Sequence, residues 1–375
     1  MHDLLRTVLA AALVLGVLVF VHELGHYLAA RWRGVHVEVF SIGFGKPLLR
    51  WRDKVGTEWR VCILPVGGYV KPHGFEGPEE ATPEMKAGWM AGRTFHDKPV
   101  LSRAIVIAAG PVFNFLLAIV LFAGVFLATG KPAEQSDIAA MPPVIGDVMP
   151  DSPAARAGLK PGDLIETVDG ASIASFGNLQ RLVSVSPGRT VHLTVERDHA
   201  QRDLDVTLGS VAAGGRKAGQ LGVFAQTPPP HRVGPVEALI AATRYTWLVM
   251  VSWVAGLWQM ITGHVAASQL GGTLRIAQMS GQFAAAGTAS LVSFMAILSI
   301  NLGLVNLLPI PILDGGRLVF YAIEALRGRP VSRVVQEIGF RAGFALIATV
   351  FLFATINDLT QFGLFGWLRH AVGGS

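Results

Sequence analysis

Long apolar runs separated by short polar segments make up the pattern of this chain. A helix needs about 20 mostly apolar residues to cross a bilayer. Four segments reach that length with their flanks, namely residues 1–34, 99–130, 286–316 and 338–362. A fifth apolar stretch, residues 245–263, is rich in tryptophan. The pattern predicts a multi-pass α-helical membrane protein.

The composition agrees with this prediction. Apolar residues make up 51% of the 375 residues and charged residues only 15%, with a mean hydropathy of +0.47. Soluble domains carry about 25% charged residues, so an ordinary soluble enzyme and a disordered protein are both excluded. The net charge of +5 is modest and fits cytoplasmic loops, so no nucleic-acid partner is expected. Cys62 is the only cysteine, which excludes an intramolecular disulfide and a cysteine-cluster metal site.

The distribution of basic residues predicts the direction in which the first two segments cross the membrane. Eleven lysines and arginines lie between Arg31 and Lys98, whereas the N-terminal tail has only Arg6. Because cytoplasmic loops are enriched in lysine and arginine, residues 35–98 are expected in the cytoplasm and the N-terminus outside. The second segment then leads out of the cytoplasm, so residues 130–230 are expected to be extracytoplasmic.

The first apolar segment contains an H-E-x-x-H motif. His22 and His26 are four residues apart, so they share one face of a helix and can reach one cation. Glu23 is suited to act as a general base in hydrolysis. Ionisable groups at bilayer depth are costly and indicate function, although a buried polar network between helices would also explain them. The three groups favour a retained helix over a cleaved signal peptide.

Asp314 is the candidate for a third metal ligand. Zinc binds imidazole and carboxylate groups, and a catalytic zinc site uses three protein ligands. Asp314 ends the apolar segment 286–316 and follows Pro309 and Pro311, which remove backbone donors and open the helix. The alternative is a plain helix stop, with Asp314 as a turn residue before two glycines.

Residues 143–227 differ from the rest of the chain. They contain short alternating runs typical of strands, and a proline-rich linker at residues 227–230 follows them. The sequence SPAARAGLKPGDLI resembles that of PDZ domains associated with bacterial proteases. This resemblance implies that a peptide or a free C-terminus adds as a strand beside an exposed edge. The alternative is a small β-rich spacer that binds nothing.

Two motifs together resemble those of a known family. The H-E-x-x-H motif and the N-x-x-P-x-P-x-L-D-G motif that begins at Asn306 are similar to the pattern of the site-2 protease family of intramembrane zinc metalloproteases. The inserted region resembles the regulator-of-sigma-E branch of that family. The resemblance implies that His22, His26 and Asp314 bind Zn2+ and that Glu23 is the base. It also implies that Asn306 positions the substrate or stabilises negative charge on the scissile carbonyl, with a helix-break amide as the alternative.

The same resemblance covers most of the remaining chain. The predicted cytoplasmic region looks like the family's membrane-associated β-hairpin region. Gly43, Gly45 and Tyr69 are expected to contact the substrate backbone there, although plain turn glycines are an equal alternative. Gly110 and Asn114 match the family's second-helix motif, and we expect them to pack helices rather than to take part in chemistry.

The predicted ligands constrain the helix directions. His22 and His26 lie in the later half of the first segment, and Asp314 lies at the end of the third. Both helices must run in the same direction if these residues are to meet at one depth. One extra crossing between them would reverse the third helix, so residues 245–263 cannot be a single full crossing. Residues 231–285 are therefore expected to form a partly embedded or interfacial helical region, which leaves four core transmembrane helices.

An intramembrane zinc metalloprotease of a bacterial inner membrane is the function that these features indicate. It is expected to hydrolyse peptide bonds within or near the transmembrane segments of single-span proteins, such as signalling regulators or remnant signal peptides. The active site is expected near the cytoplasmic side, with the single PDZ domain outside. A non-catalytic membrane-anchored PDZ adaptor is the alternative. A metal transporter fits less well, because the apolar segments offer no further acidic path.

Overall fold

A computed structural model describes residues 2–77, 81–132, 135–213, 216–226, 230–263 and 272–361. The chain divides into two compact units, which we describe separately. The first comprises Met1–Ala128, Pro235–Trp253 and Ser268–Ser375, and the second comprises Thr129–Gly234 and Val254–Ala267.

The described helices, in chain order, are α1 (His2–Trp32), α2 (Pro83–Ala87), α3 (Val100–Thr129), α4 (Gln135–Ala140), α5 (Pro153–Arg156), α6 (Phe176–Ser184), α7 (Pro235–Ile261), α8 (Thr273–Ala285), α9 (Thr288–Asn306), α10 (Asp314–Arg327) and α11 (Arg333–Gln361). The strands are β1 (Val37–Arg52), β2 (Glu58–Pro72), β3 (Ile145–Val148), β4 (Leu164–Val168), β5 (Ala171–Ser172), β6 (Thr190–Arg197), β7 (Ala200–Thr207), β8 (Gly209–Ala213), β9 (Arg216–Gln220) and β10 (Val223–Ala225). Five of the described helices are long and apolar enough to cross a membrane, namely α1, α3, α7, α9 and α11.

Helices α1 and α3 run in opposite directions. The Arg33 guanidinium, just after α1, donates a 2.7 Å hydrogen bond to Ser102 Oγ near the start of α3. Earlier in α1, Val14 belongs to an apolar cluster that includes Leu117 and Leu121 from the later part of α3. The two helices therefore form an antiparallel pair.

Helices α1 and α9 run in the same direction. Met295, in the first half of α9, packs in one cluster with Val14 and Leu18 of α1. Further along, Asp314, which follows α9 in the chain, lies beside His22 and His26 of α1. The two helices are therefore parallel, as the positions of the predicted ligands require.

The chain between α9 and α10 corrects one expectation. The apolar pattern predicted that Asp314 lies at the end of one helix, but α9 ends at Asn306 and Asp314 is the first residue of α10. Pro309 and Pro311 lie in the intervening segment, where each lacks the N–H that a continuing helix needs. Leu313 is extended, with φ −92° and ψ 167°. The prolines thus divide the predicted segment into two helices joined at the candidate ligand.

Strands β1 and β2 form the predicted hairpin region. The β1 residue Val39 lies opposite both Glu58 and Lys71, so the first part of β1 pairs with two separate parts of β2. The ring of Phe40 stacks on Trp59 with centroids 4.3 Å apart and meets Tyr27 of α1 edge-to-face at 5.7 Å. This aromatic core fixes the hairpin against the later half of α1.

Residues 143–226, here called the inserted domain, belong to the second unit. An antiparallel four-stranded sheet in the order β5-β4-β6-β7 lies with the pairs β10-β3 and β8-β9. Asp163 is fully buried and accepts hydrogen bonds from Arg197 at 2.6 and 2.7 Å. Burial alone would raise the pKa of Asp163, but the bonds from Arg197 and from the Lys160 amide lower it below its usual range. Residues 227–229 of the predicted proline linker lie outside the described part of the chain.

Helix α7 is longer than the sequence pattern predicted. It begins at Pro235, directly after the cap residue Gly234, and ends at Ile261. A proline at the first helical position suits a helix start, because its missing N–H would have no partner inside the helix. Tyr245 meets the ring of Phe122 of α3 at 4.8 Å. Residues 264–271 of the predicted interfacial region, and residue 362 of the last predicted segment, lie outside the described residues.

Candidate metal centre

Three ligand atoms converge where α1 meets the start of α10. The Nε2 atoms of His22 and His26 are 3.2 Å apart. Asp314 Oδ2 lies 3.3 Å from His22 Nε2 and 3.4 Å from His26 Nε2. His22 and His26 occupy successive turns of one helix face, and the division between α9 and α10 brings the carboxylate to them. Within the described residues, this group is the one whose donor atoms could hold a metal ion.

The spacing of the three atoms fits zinc. Tetrahedral zinc with bonds of 2.0–2.1 Å holds its ligand atoms about 3.3 Å from one another. The observed separations of 3.2, 3.3 and 3.4 Å match this value. In addition, Asp314 Oδ2 is buried and has no hydrogen-bond partner among the described residues. A buried carboxylate oxygen without a donor is costly, and a cation bound by the three residues would remove that cost.

Helix α3 contacts the opposite side of both imidazoles. His26 Nδ1 lies 2.9 Å from the backbone carbonyl oxygen of Val106, and His22 Nδ1 lies 3.1 Å from the side-chain amide of Asn114. Between them, a Cβ atom on Gly110 would lie 2.8 Å from His22 Cε1, so a larger residue would displace the rings. Gly110 therefore packs as predicted. Asn114 also packs, but its contact with a candidate ligand was missed, because the motif does not show which face of α3 meets the histidines.

Glu23 lies between the histidines and strand β2. Its carboxyl group interacts electrostatically with both histidines and Asp314, and the backbone amide of Val70 is directed at it. Gly68 leaves the space for this approach, since a Cβ atom there would lie 3.1 Å from Glu23 Cγ and 2.6 Å from the Ser41 carbonyl oxygen. A half-buried carboxylate thus lies beside the three candidate ligands, at the edge of an extended strand.

The other predicted site residues lie around this centre rather than in it. Asn306 is the half-buried last residue of α9. Tyr69 follows Gly68, and its hydroxyl accepts a 3.3 Å hydrogen bond from Arg60. Gly43 and Gly45 have φ angles of 84° and 90°. A Cβ atom on Gly43 would collide with the Leu64 carbonyl of the same hairpin. The backbone that comes close to Gly43 is therefore that of the hairpin itself.

An ion pair holds α10 against α3. Arg103 Nη2 donates to Glu324 Oε1 at 2.6 Å, and Arg103 Nη1 donates to Glu324 Oε2 at 3.2 Å. The forked geometry gives this pair an orientation that a single contact would lack. One turn after Asp314, the Arg317 guanidinium lies 4.4 Å from the Phe75 ring centroid. These contacts fix the helix that presents the carboxylate.

A family model places the chain among known proteases. The model of peptidase family M50 matches residues 10–350, which include all three candidate ligands and Glu23. The chain belongs to peptidase family M50. Zinc metalloprotease is the enzyme class that this membership establishes, and zinc is its metal.

Relatives of this M50 chain align along almost its whole length. A protein of Rhizobium meliloti whose name describes a zinc metalloprotease is 42% identical, covering 98% of this chain and 99% of its own. The metalloprotease MmpA of Caulobacter vibrioides is 37% identical over 95% and 96% of the two chains. The regulator of sigma-E protease RseP of Salmonella typhimurium is 31% identical over 96% and 100%. The last alignment spans 456 positions, so this relative has segments that the 375-residue chain lacks.

Solved PDZ domains resemble a small part of the M50 chain. The PDZ domain of an SdrC-like protein of Listeria monocytogenes is 24% identical and has a TM-score of 0.20, covering 22% of this chain and 84% of its own. A second one, from Listeria innocua, is 22% identical with a TM-score of 0.20, covering 24% and 99%.

Proposed function

We propose that this M50 zinc metalloprotease hydrolyses peptide bonds within or near the transmembrane segments of single-span membrane proteins. One observation carries the proposal. His22, Glu23 and His26 lie on α1, and Asp314 begins α10, which follows α9 after residues 307–313; both α1 and α9 are long and apolar enough to cross a membrane. Ionisable groups at such a position are costly unless they serve a function.

In this proposal His22, His26 and Asp314 hold the zinc ion and Glu23 moves the proton. Zinc bound there would lower the pKa of a water molecule towards about 7 and polarise the scissile carbonyl. Glu23 accepts the proton as the water oxygen bonds to the carbonyl carbon, and it passes that proton to the leaving nitrogen as the C–N bond breaks. The products are a carboxylate and an amine. Asn306 is proposed to donate a hydrogen bond to the developing negative charge.

The substrate must be extended at the cleaved bond. A transmembrane helix has its amides bonded internally, so a segment has to unwind before its carbonyl is accessible. The edge of β2 at Gly68, Tyr69 and Val70 runs beside Glu23. An unwound segment that adds to this edge by backbone pairing would come next to the general base. Gly43 and Gly45 support this edge through the shape of the hairpin.

The basic residues and the helix directions support one membrane topology. Arg31, Arg33, Arg93 and Lys98 favour the cytoplasmic side, so the metal centre is proposed to lie towards the cytoplasm of a bacterial inner membrane. The inserted domain follows α3 and is then extracytoplasmic. Because α9 starts on the side where α3 ends, the chain between them crosses an even number of times. Helix α7 is therefore proposed to be partly embedded or interfacial, and α1, α3, α9 and α11 to form the four-helix core.

The inserted domain is proposed to be a PDZ domain that binds a peptide or a free C-terminus. A cavity of about 380 Å³ lies between α6 and β10 and is lined by apolar side chains, among them Met149, Leu179 and Val183. Strand β10 pairs with β3, and its residues Val223 and Phe224 also line this cavity, which suits strand addition. Such binding would select substrates that another protease has already shortened.

Cleavage of a tagged single-span protein by the purified enzyme in detergent tests the proposal. We compare wild type with Glu23→Gln, which keeps the shape of the side chain but cannot accept the proton, and we measure bound zinc in both. Wild-type cleavage is expected, with a loss of at least about 100-fold in the variant and unchanged zinc content. Equal cleavage by both proteins would contradict the role of Glu23. If neither cleaves any of a set of single-span proteins, the proposed substrate class is wrong.

A further inference from the structure

We infer that Asn114 is a positioning residue for the metal centre. In this assignment its side-chain oxygen accepts a hydrogen bond from Nδ1–H of His22, which leaves Nε2 of that histidine as the metal ligand. The inference rests on the proposed zinc site and goes beyond it, because the sequence pattern assigned Asn114 to helix packing alone.

The contact itself is deeply buried. Asn114 has no exposed surface, and His22 is 8% exposed. The side-chain amide lies 3.1 Å from His22 Nδ1. At this depth no bulk solvent can substitute for a missing partner, so the imidazole nitrogen and the amide depend on each other.

The neighbouring histidine shows which protonation pattern the site needs. His26 Nδ1 faces the Val106 carbonyl oxygen at 2.9 Å. A carbonyl oxygen only accepts, so His26 carries its proton on Nδ1 and offers the lone pair of Nε2 to the centre. His22 presents Nε2 to the same point, 3.2 Å away. It can act as a ligand there only if its own proton is also on Nδ1.

The asparagine can supply the required acceptor. The oxygen and nitrogen ends of an amide have nearly the same shape, so the surrounding hydrogen-bond network decides which end faces a partner. With the nitrogen end towards His22, Asn114 Oδ1 is buried without a partner among the described residues. Turning the amide about its axis brings that acceptor to His22 Nδ1 and puts the amino group in its place. Only this orientation lets both histidines present lone pairs to one cation.

The backbone of α3 holds Asn114 in place. Ser299 of α9 donates a 2.8 Å hydrogen bond to the Asn114 carbonyl oxygen, and both residues are fully buried. Val106, Gly110 and Asn114 follow one another at intervals of four residues, so one face of α3 serves both imidazoles. On this face Val106 supplies a carbonyl acceptor, Gly110 leaves space for the imidazole rings, and Asn114 supplies a side-chain amide.

Two variants separate an acceptor from a packing residue. Asn114→Asp keeps the shape and an acceptor but has no N–H donor, whereas Asn114→Leu keeps the size but has no acceptor. We would purify both with wild type in detergent and measure zinc affinity by competition with a chromogenic chelator. Asn114→Leu is expected to bind zinc about 10–100-fold more weakly, whereas Asn114→Asp stays within about threefold of wild type or binds more tightly. Unfolding of the zinc-free proteins, measured in parallel, reports on packing separately from metal binding.

The outcomes decide between the possibilities. Equal zinc affinity of Asn114→Leu and wild type would overturn the inference and leave the proposed zinc site intact. Aspartate no better than leucine would also overturn it, because the acceptor would then be irrelevant. If wild type itself binds no zinc, the proposed site fails first and the inference fails with it. Should the leucine variant not fold, nitrogen-15 spectra of histidine-labelled, zinc-loaded wild type still test the inference, since His22 bound through Nδ1, or without a proton on Nδ1, would contradict it.

Discussion

Gly110 is the residue at which helix packing and the metal centre meet. It lies on α3 opposite the imidazole rings, and a Cβ atom there would lie 2.6 Å from His26 Cε1 and 2.8 Å from His22 Cε1. Real Cβ contacts do not come this close, so any larger residue must push both candidate ligands out of position. The absence of a side chain at this position is therefore a condition of the ligand geometry.

Substituting Gly110 by alanine is expected to impair both zinc binding and folding. We expect zinc affinity to fall by about 10–100-fold and the free energy of unfolding to fall by about 1–3 kcal/mol, because the added methyl group overpacks the interface. Chelator competition and thermal unfolding measure the two effects.

Gly124 on the same helix is the matched control. Nothing lies within 4 Å of a Cβ atom placed there, so Gly124→Ala should leave zinc affinity unchanged and be neutral or stabilising by about 0.5–1 kcal/mol. A Gly110→Ala protein with wild-type zinc affinity would contradict the steric argument.

At the scale of elements, strand β2 and helix α1 pack as one unit. The aromatic contacts of Tyr27, Phe40 and Trp59 lock the hairpin onto the helix. This packing brings the backbone of Gly68 and the amide of Val70 next to Glu23. The strand thus brings the edge to which a substrate is proposed to pair next to Glu23, the proposed general base.

Removing one backbone donor tests this unit. Val70→Pro deletes the backbone N–H that is directed at Glu23, in a residue that lies opposite Phe40 in the ladder with β1. We expect kcat/KM for a single-span substrate to fall at least about tenfold with zinc content close to wild type, and the melting temperature, measured in parallel, reports any disturbance of the ladder. A rise in KM would assign the N–H to substrate pairing, and a fall in kcat would assign it to Glu23. Val70→Thr keeps the N–H and the branched shape, and it should cleave normally; equal rates for the proline and threonine variants would refute the idea.

For the whole molecule, the proposed topology depends on whether the chain between α3 and α9 crosses the membrane an even or an odd number of times. Helix α3 ends near Tyr245, on the side where α1 begins, because the two helices are antiparallel. Helix α9 starts on that same side. Helix α11 returns there too, since Asp358 near its end accepts hydrogen bonds from the backbone amides of Gly272 and Arg275 at the start of α8. A single full crossing by α7 would put the start of α9 on the side opposite to the end of α3, which contradicts these contacts.

Single-cysteine labelling tests the proposed topology. In a Cys62→Ser background we would place one cysteine at Thr262 after α7, at Asp203 in the inserted domain, or at Arg329 after α10; all three positions are exposed. A membrane-impermeant maleimide added to intact cells, after the outer membrane is made permeable, should label the Thr262 and Asp203 positions but not Arg329. Labelling of Thr262 only after cell lysis, together with Arg329, would show that α7 crosses completely.

The zinc metalloprotease class and the candidate metal ligands could be predicted from local sequence. His22 and His26 are four residues apart on one helix, and helical periodicity alone places them on one face. Apolar runs of sufficient length predicted the membrane helices, and the two prolines predicted a break before Asp314. These features depend on neighbours within a few residues, so no knowledge of packing was needed.

Other features depended on contacts between residues distant in sequence. Asp314 stands at the start of a new helix rather than at the end of the old one, and α7 begins ten residues before the predicted stretch, at Pro235. Nothing in the motif containing Gly110 and Asn114 shows that its polar amide faces His22, 92 residues away. The approach of β2 to Glu23 depends in the same way on the packing of an aromatic cluster. Sequence periodicity determined which residues share a face, but only the tertiary structure decided which faces meet, because that choice is made by side-chain packing across the whole bundle.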